Sequence, residues 1–305
     1  MLNTRTVVLA SALFLSAFPA RSGPLVYVVA GGITGNGTFA TMDLTTGTFT
    51  PLGPPEPDGY DGLATGPNGS LYSLTYAANI DSIDPKTGNH TNVGATGLGA
   101  CLIPSPACGP NSGLLVGGIG GKLYATDFSN NFYSVSPSTG AAKLIGATGI
   151  APFPYVVGSQ NPDGSTNVGD VALFGAGGKL YYIFDAFVIN LNTDTVEKVV
   201  ISPKLYQVDP ATAHATPVAS IPLGFAAAVD VNGTVYAFNE NDSAIETLNL
   251  TTGATSLVSH FDPSDGLILG AAAPAPEPTS WALALLGTVG LGFAAEKRKR
   301  RSCPR

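Results

Sequence analysis

Three aspartates stand out for the chemistry they could do together. Asp61, Asp170 and Asp265 each head a short apolar segment: Asp-Gly-Leu-Ala at 61–64, Asp-Val-Ala-Leu at 170–173 and Asp-Gly-Leu-Ile at 265–268. The first two stand eleven residues ahead of a tyrosine, Tyr72 and Tyr181. If these segments line one channel, three carboxylates around its mouth could hold a hard cation such as Ca2+ through oxygen ligands. An aspartate before a strand also caps a turn through nearby backbone amides, so two readings stand side by side. The stretch Asp58-Gly59-Tyr60-Asp61-Gly62 lacks the ligand spacing and final glutamate of an EF-hand loop.

Other reactive side chains offer less. His90 and His214 follow the turns at Thr87-Gly88 and Thr212-Ala213. They read as similar outer-hairpin positions on solvated surface, too divergent to share a metal. His260, beside Phe261-Asp262-Pro263, reads as structural. There is no Gly-x-Ser-x-Gly elbow and no His-Glu-x-x-His helix, so no catalytic residue is assigned. Gly31-Gly32 and the glycine-rich stretch 117–121 fit strand turns; a phosphate loop would need a following helix and a Lys-Ser or Lys-Thr. The segment Ile150 to Asn167, with Pro152-Phe153-Pro154-Tyr155, is either a binding loop on one rim or a spacer.

Composition narrows the partners. From Pro24 to Ala275 there are six lysines against 19 carboxylates and no arginine, a net −13. Nucleic acid is therefore an unsuitable partner, because cations must replace the counterions of phosphates. Missing too is the guanidinium fork used at many phosphate and carboxylate sites. Cys101 and Cys108 flank a Pro-rich loop, and in an exported protein they are expected to form a local disulfide. No cofactor is expected beyond the Ca2+ considered above.

The elements that would position these residues repeat. Asn68-Gly69-Ser70-Leu71-Tyr72 is a turn followed by a strand. A second strand, Ile80-Asp81-Ser82-Ile83, then ends on Asp84-Pro85-Lys86-Thr87-Gly88. Variants recur around Tyr27, Tyr72, Tyr124, Tyr181 and Tyr236, spaced 45, 52, 57 and 55 residues apart. Periods near 50 with about four short strands each predict the blades of an all-β propeller. The first unit lacks the Asp-Gly-Leu-Ala strand, and Asp265 to Leu269 can supply it from the far end. The N- and C-terminal strands are thus expected to close one blade and remove two sheet edges. Five four-stranded blades are expected. A sixth stays open, because the fourth unit carries two hairpin candidates, Phe187 to Thr195 and Leu205 to Thr212. The body resembles bacterial propellers with Leu-Tyr-x-(Val/Ile)-Asp-Pro-x-Thr-Gly repeats, seen at Leu205 to Ala213 and, imperfectly, at Asp81 to Gly88. That resemblance implies fold alone.

Both ends read as processing segments, giving three regions: 1–22, a propeller domain at 24–273, and 274–305. Arg5, the apolar run Val7 to Phe18 and the small residues after it form a signal peptide, cut before Gly23 or after Ala20. At the other end Pro276-Glu277-Pro278-Thr279 precedes fifteen uncharged residues, Trp281 to Ala295, and then Lys297-Arg298-Lys299-Arg300-Arg301. As a helix the run spans about 22 Å, short of the ~30 Å hydrocarbon core, and would need bilayer thinning or snorkelling. The basic cluster favours the cytoplasmic side. This tail resembles the PEP-CTERM sorting signal of Gram-negative bacteria that make extracellular polysaccharide. The resemblance covers about thirty residues and implies cutting near the Pro-Glu-Pro motif by an exosortase-type membrane protease after Sec export across the inner membrane. Ser302-Cys303-Pro304-Arg305 is a departure from the usual basic end.

Together these readings predict a protein that is briefly anchored by a C-terminal transmembrane helix and then sits at the cell surface or in the matrix. Its propeller would be a non-enzymatic module binding extracellular polysaccharide or another surface protein. The alternative is a propeller hydrolase or lyase with a divalent metal at the channel mouth.

Overall fold

The computed structural model describes residues 23–31, 36–99, 113–152, 161–190, 195–222 and 224–274. The signal segment, Cys101 and Cys108, Pro276 to Thr279, the Trp281–Ala295 run and Lys297 to Arg301 lie outside the described residues. Among the described residues no helix is long and apolar enough to cross a membrane.

Each repeat folds into one antiparallel sheet, and five such sheets form the ring. The blade tyrosines all fall on second strands: Leu25–Gly31, Leu71–Thr75, Lys122–Asp127, Lys179–Asn190 and Thr234–Asn239. The innermost strands are Leu267–Ala272, Tyr60–Thr65, Gly113–Ile119, Val171–Ala176 and Ala227–Val231, taken from blade 1 to blade 5. Blade 1 is closed by both ends of the propeller, as predicted. The terminal strand Leu267–Ala272 pairs with Leu25–Gly31, setting Leu267 opposite Gly31 and Ile268 opposite Ala30. The second hairpin candidate of the fourth repeat does not make a sixth blade. Lys179–Asn190 and Thr195–Val208 form one long hairpin, whose far half carries the extra strand Thr166–Val168.

The core is divided into five wedges, each between consecutive blades, because a single sheet cannot cover both of its faces. Tyr72, Leu74 and Ile80 of blade 2 pack on Val116, Leu123 and Ala125 of blade 3. Val26, Val28 and Met42 of blade 1 pack in the same way on Phe238 and Ile245 of blade 5, closing the circle.

The Asp-Pro-x-Thr-Gly turns set the outer seams. In blade 2 the Asp84 carboxylate accepts the Lys86 amide at 2.8 Å. Gly88 then takes the left-handed conformation (φ 69°), which lets the hairpin reverse. Gly47, Gly140 and Gly253 do the same in blades 1, 3 and 5, and Ala213 does so in blade 4 (φ 69°). Each of these residues packs against the outer edge of the preceding blade: Gly47 on His260, Gly88 on Leu52 and Gly53, Gly140 on Gly94, and Gly253 on Ser220. Ala213 faces Gly146, which makes room for its methyl group.

Candidate functional site

The five innermost strands run side by side in the same direction, so the channel has two ends of different chemistry. A bulge shapes the acidic end. The pairing of Tyr60–Thr65 with Leu71–Thr75 slips between Tyr60 and Leu63, leaving Asp61 and Gly62 as the extra residues. Asp170 stands just before Val171–Ala176 and is buried. Its amide donates to Asp185 Oδ1 at 2.7 Å. Asp185 sits on the second strand of the same blade and is 3 % exposed. The two carboxylates aim at one spot: a Cβ on Gly224 would overlap Asp185 Oδ2 and lie 2.6 Å from Asp170 Oδ2. Glu240, just past Thr234–Asn239 of blade 5, adds a fourth carboxylate, whose Oε1 is buried with no hydrogen-bond partner among the described residues.

Burial dominates the electrostatics here. It pushes the Asp61 carboxyl well above the ordinary aspartate range. It raises Asp170 to about 7 and, with the Asp170 charge adding and the Asp170 amide opposing, Asp185 to about 8. Glu240 is driven well up by burial first, then by the charges of Asp170, Asp61 and Asp185. Desolvation disfavours the charged form and neighbouring like charges reinforce it. The Asp170–Asp185 pair therefore titrates as a unit that keeps a proton into the neutral range. At that pH the mouth presents carboxyl groups able to donate hydrogen bonds as well as accept them.

Of the three aspartates singled out in the sequence, Asp61 and Asp170 come together and Asp265 does not join them. Asp265 ends a short 3-10 turn, Pro263–Asp265, and Gly266 separates it from the closing strand. The carboxylate whose charge it feels is Asp262. Asp185 and Glu240 take part without having been singled out.

The opposite end of the channel is a cup of about 470 Å3. All five blades contribute to it, mainly through turns such as Gly120-Gly121, Gly177-Gly178 and Asn232-Gly233, with Thr65 and Asp230 supplying polar side chains. Asp230 ties two blades together, accepting the Gly233 amide at 2.7 Å and the Gly177 amide at 3.0 Å. Between cup and acidic mouth the channel narrows to a void of about 10 Å3 among Leu63, Val116, Leu173 and Leu269, no more than one water needs. Ala273 and Pro274, where the described chain ends, lie on the cup wall.

No protein-family model matches the chain, and no curated protein matches it. Several solved structures are similar to it at low identity. A chain in the crystal structure of a nidogen/laminin complex is similar at 10 % identity, with 81 % of this chain and 97 % of that one covered and a TM-score of 0.46. The PQQ-bound form of an aldose sugar dehydrogenase from Streptomyces coelicolor is similar at 14 % identity, over 70 % of this chain and 84 % of the other, with a TM-score of 0.39. Virginiamycin B lyase from Staphylococcus aureus follows at 13 % identity, over 76 % and 69 %, with a TM-score of 0.36. At such identities and scores none of these likenesses bears on what this propeller binds or does.

The histidines divide differently from the sequence reading. His214 is exposed; His260 is exposed too, but its Nδ1 lies 3.1 Å from the Asp242 carbonyl, in keeping with a structural role. His90 is not a free surface residue: its Nδ1 lies 2.6 Å from Glu56 Oε2 and 3.4 Å from Asp81 Oδ2. Register explains why His90 and His214 are not equivalent. His90 pairs with Ile83, whereas the matching partner of Val208 in blade 4 is Ala215. His214 is therefore one residue out of step, and one step along a strand turns a side chain to the other face.

Proposed function

We propose that this chain is an exported surface or matrix protein whose propeller is a non-enzymatic binding module. Its C-terminal tail is a PEP-CTERM signal processed by an exosortase-type membrane protease after Sec export. The observation that carries this reading is the tail itself: Pro276-Glu277-Pro278, the Trp281–Ala295 run and the Lys297–Arg301 cluster, in that order. The binding face in this reading is the cup. Its wall is built from glycine turns, and the polar side chains Thr65, Asp230 and Asn232 stand among them. Fixed donors and acceptors in a concave site suit a hydroxyl-rich ligand. An extracellular polysaccharide is the ligand class that agrees with the sorting tail.

Processing is tested directly in a host with an exosortase. Wild-type protein should be released with a new C-terminus near Pro276-Glu277-Pro278. A Glu277→Ala, Pro278→Ala double variant should stay in the membrane fraction with its basic tail attached. Release of that variant at wild-type level, or retention of wild type with an intact tail, would contradict the processing.

A metal-dependent hydrolase or lyase is the second reading, favoured by the meeting of Asp61, Asp170, Asp185 and Glu240 at one mouth. Burial keeps protons on these carboxyl groups when no cation is bound, and a cation held there would displace them.

A further inference from the structure

The seam between blades 1 and 2 carries a second cluster. Glu56 lies in the connection between these blades, pinned by two backbone hydrogen bonds with Gly37, each 2.8 Å. Asp81 is on the third strand of blade 2, Asn79–Ile83, and His90 opens the outermost strand, His90–Ala95. One ligand atom from each lies within 4.8 Å of the other two. Glu56 and Asp81 are 6 % and 3 % exposed. Both carboxylates are oriented from behind. The Asp58 amide donates to Glu56 Oε1 at 3.1 Å, and Asn92 Nδ2 donates to Asp81 Oδ1 at 3.1 Å. Glu56 Oε2 and Asp81 Oδ2 are left facing His90 Nδ1. Such outer hydrogen bonds are how metal-binding carboxylates are commonly held.

An independent observation points to a missing partner. Tyr60 is fully buried, and its hydroxyl finds no hydrogen-bond partner among the described residues. Its ring stands edge-on to His90, 88° between planes, and the charges of Glu56 and Asp81 both reach its hydroxyl. A buried hydroxyl left unpaired keeps the full cost of its lost hydration. A His90–Glu56 pair alone accounts for two of the four groups. It leaves a second buried carboxylate on the same imidazole nitrogen and leaves Tyr60 unsatisfied.

We propose that Glu56 Oε2, Asp81 Oδ2 and His90 Nδ1 hold one divalent ion of the zinc type, with a water as fourth ligand hydrogen-bonded to the Tyr60 hydroxyl. Two carboxylates and a neutral imidazole suit Zn2+ or Co2+ in tetrahedral geometry, and they balance the charge of the ion. Its place would tie the connection leaving blade 1 to the outer hairpin of blade 2, beside the blade that holds both ends of the propeller.

The test uses the full chain, stripped with EDTA and titrated with Zn2+ by calorimetry, with Co2+ as a spectroscopic probe. Wild type should bind one ion per chain and give the intense visible bands of tetrahedral Co2+. His90→Ala should weaken binding more than about 100-fold, and Tyr60→Phe or Asn92→Ala about tenfold. His214→Ala should leave the affinity unchanged. Metal-free melting of Tyr60→Phe and Asn92→Ala reports whether they fold like wild type, so the proposal does not depend on His90→Ala folding. It is overturned if wild type takes up no stoichiometric Zn2+, or if the folded Tyr60→Phe and Asn92→Ala variants both bind as tightly as wild type. Equal weakening by His90→Ala and His214→Ala would overturn it as well.

Discussion

Asp170→Asn should melt roughly 10 °C higher than wild type near pH 8.5 in EDTA, and only about 3–5 °C higher near pH 5. The sign follows from proton linkage. Burial holds Asp170 at about 7 in the folded protein, above the ~3.9 of an unfolded aspartate. Between those values the folded state binds more protons than the unfolded one, so stability falls as pH rises. The loss is complete once pH exceeds the folded value. At 1.36 kcal/mol per pH unit the gap amounts to about 4 kcal/mol for this one proton. For a domain of this size that corresponds to roughly 10 °C. Asparagine keeps the shape and carries no charge, so the pH slope due to this group should vanish in the variant. Thermal melts from pH 5 to pH 9 measure it. A variant less stable than wild type near pH 8.5 would mean that the anion is favoured, as a bound cation would make it. Ca2+ raising the melting temperature of wild type alone would then support the metal reading.

Gly140→Ala should cost about 3 kcal/mol, and Gly120→Ala only about 1–2 kcal/mol, although both glycines have positive φ (74° and 57°). The difference lies in what a methyl group meets. At Gly120 nothing stands within 4 Å of the new Cβ, so only left-handed strain is added. At Gly140 it would overlap the Gly94 carbonyl of the neighbouring blade, and backbone cannot swing aside as a long side chain can. Ala213 shows that the left-handed position by itself tolerates a methyl group when the facing residue, Gly146, leaves space. Urea unfolding of the two variants checks the ranking. Equal losses would mean that the seams between blades are looser than described.

The ring is largely legible in the sequence because its signals are local. Gly-x-Leu-Tyr places a second strand, Asp-Pro-x-Thr-Gly sets a hairpin, and the strand missing from the first repeat has its counterpart at Asp265 to Leu269. The blade count was less legible, since the two hairpin candidates between Phe187 and Thr212 read either as an extra hairpin of blade 4 or as a cut-down sixth blade. Pairing across ten register positions decides it.

The sites were harder, because they are assembled across repeats. Asp61 and Asp170 could be picked out as residues heading innermost strands. Asp185 left a trace, as the one charge in Tyr181-Tyr182-Ile183-Phe184-Asp185-Ala186-Phe187. Glu240 left none, since Asn239-Glu240-Asn241-Asp242 reads as a polar turn. Asp265 carries the same sequence signature as Asp61, yet the 3-10 turn before Gly266 sets it apart. Glu56 hides in Pro54-Pro55-Glu56-Pro57, a connection whose position depends on its bridge to Gly37.

The proposed binding role is tested most directly by titrating the processed protein with its producer's own extracellular polysaccharide. Wild type, Thr65→Trp and Asp170→Asn are compared at one pH. Thr65→Trp fills the cup, so binding should be lost there and kept in Asp170→Asn, whose change lies at the far mouth. Undiminished binding by Thr65→Trp, or binding lost in Asp170→Asn alone, would contradict the assignment of the cup as the binding face.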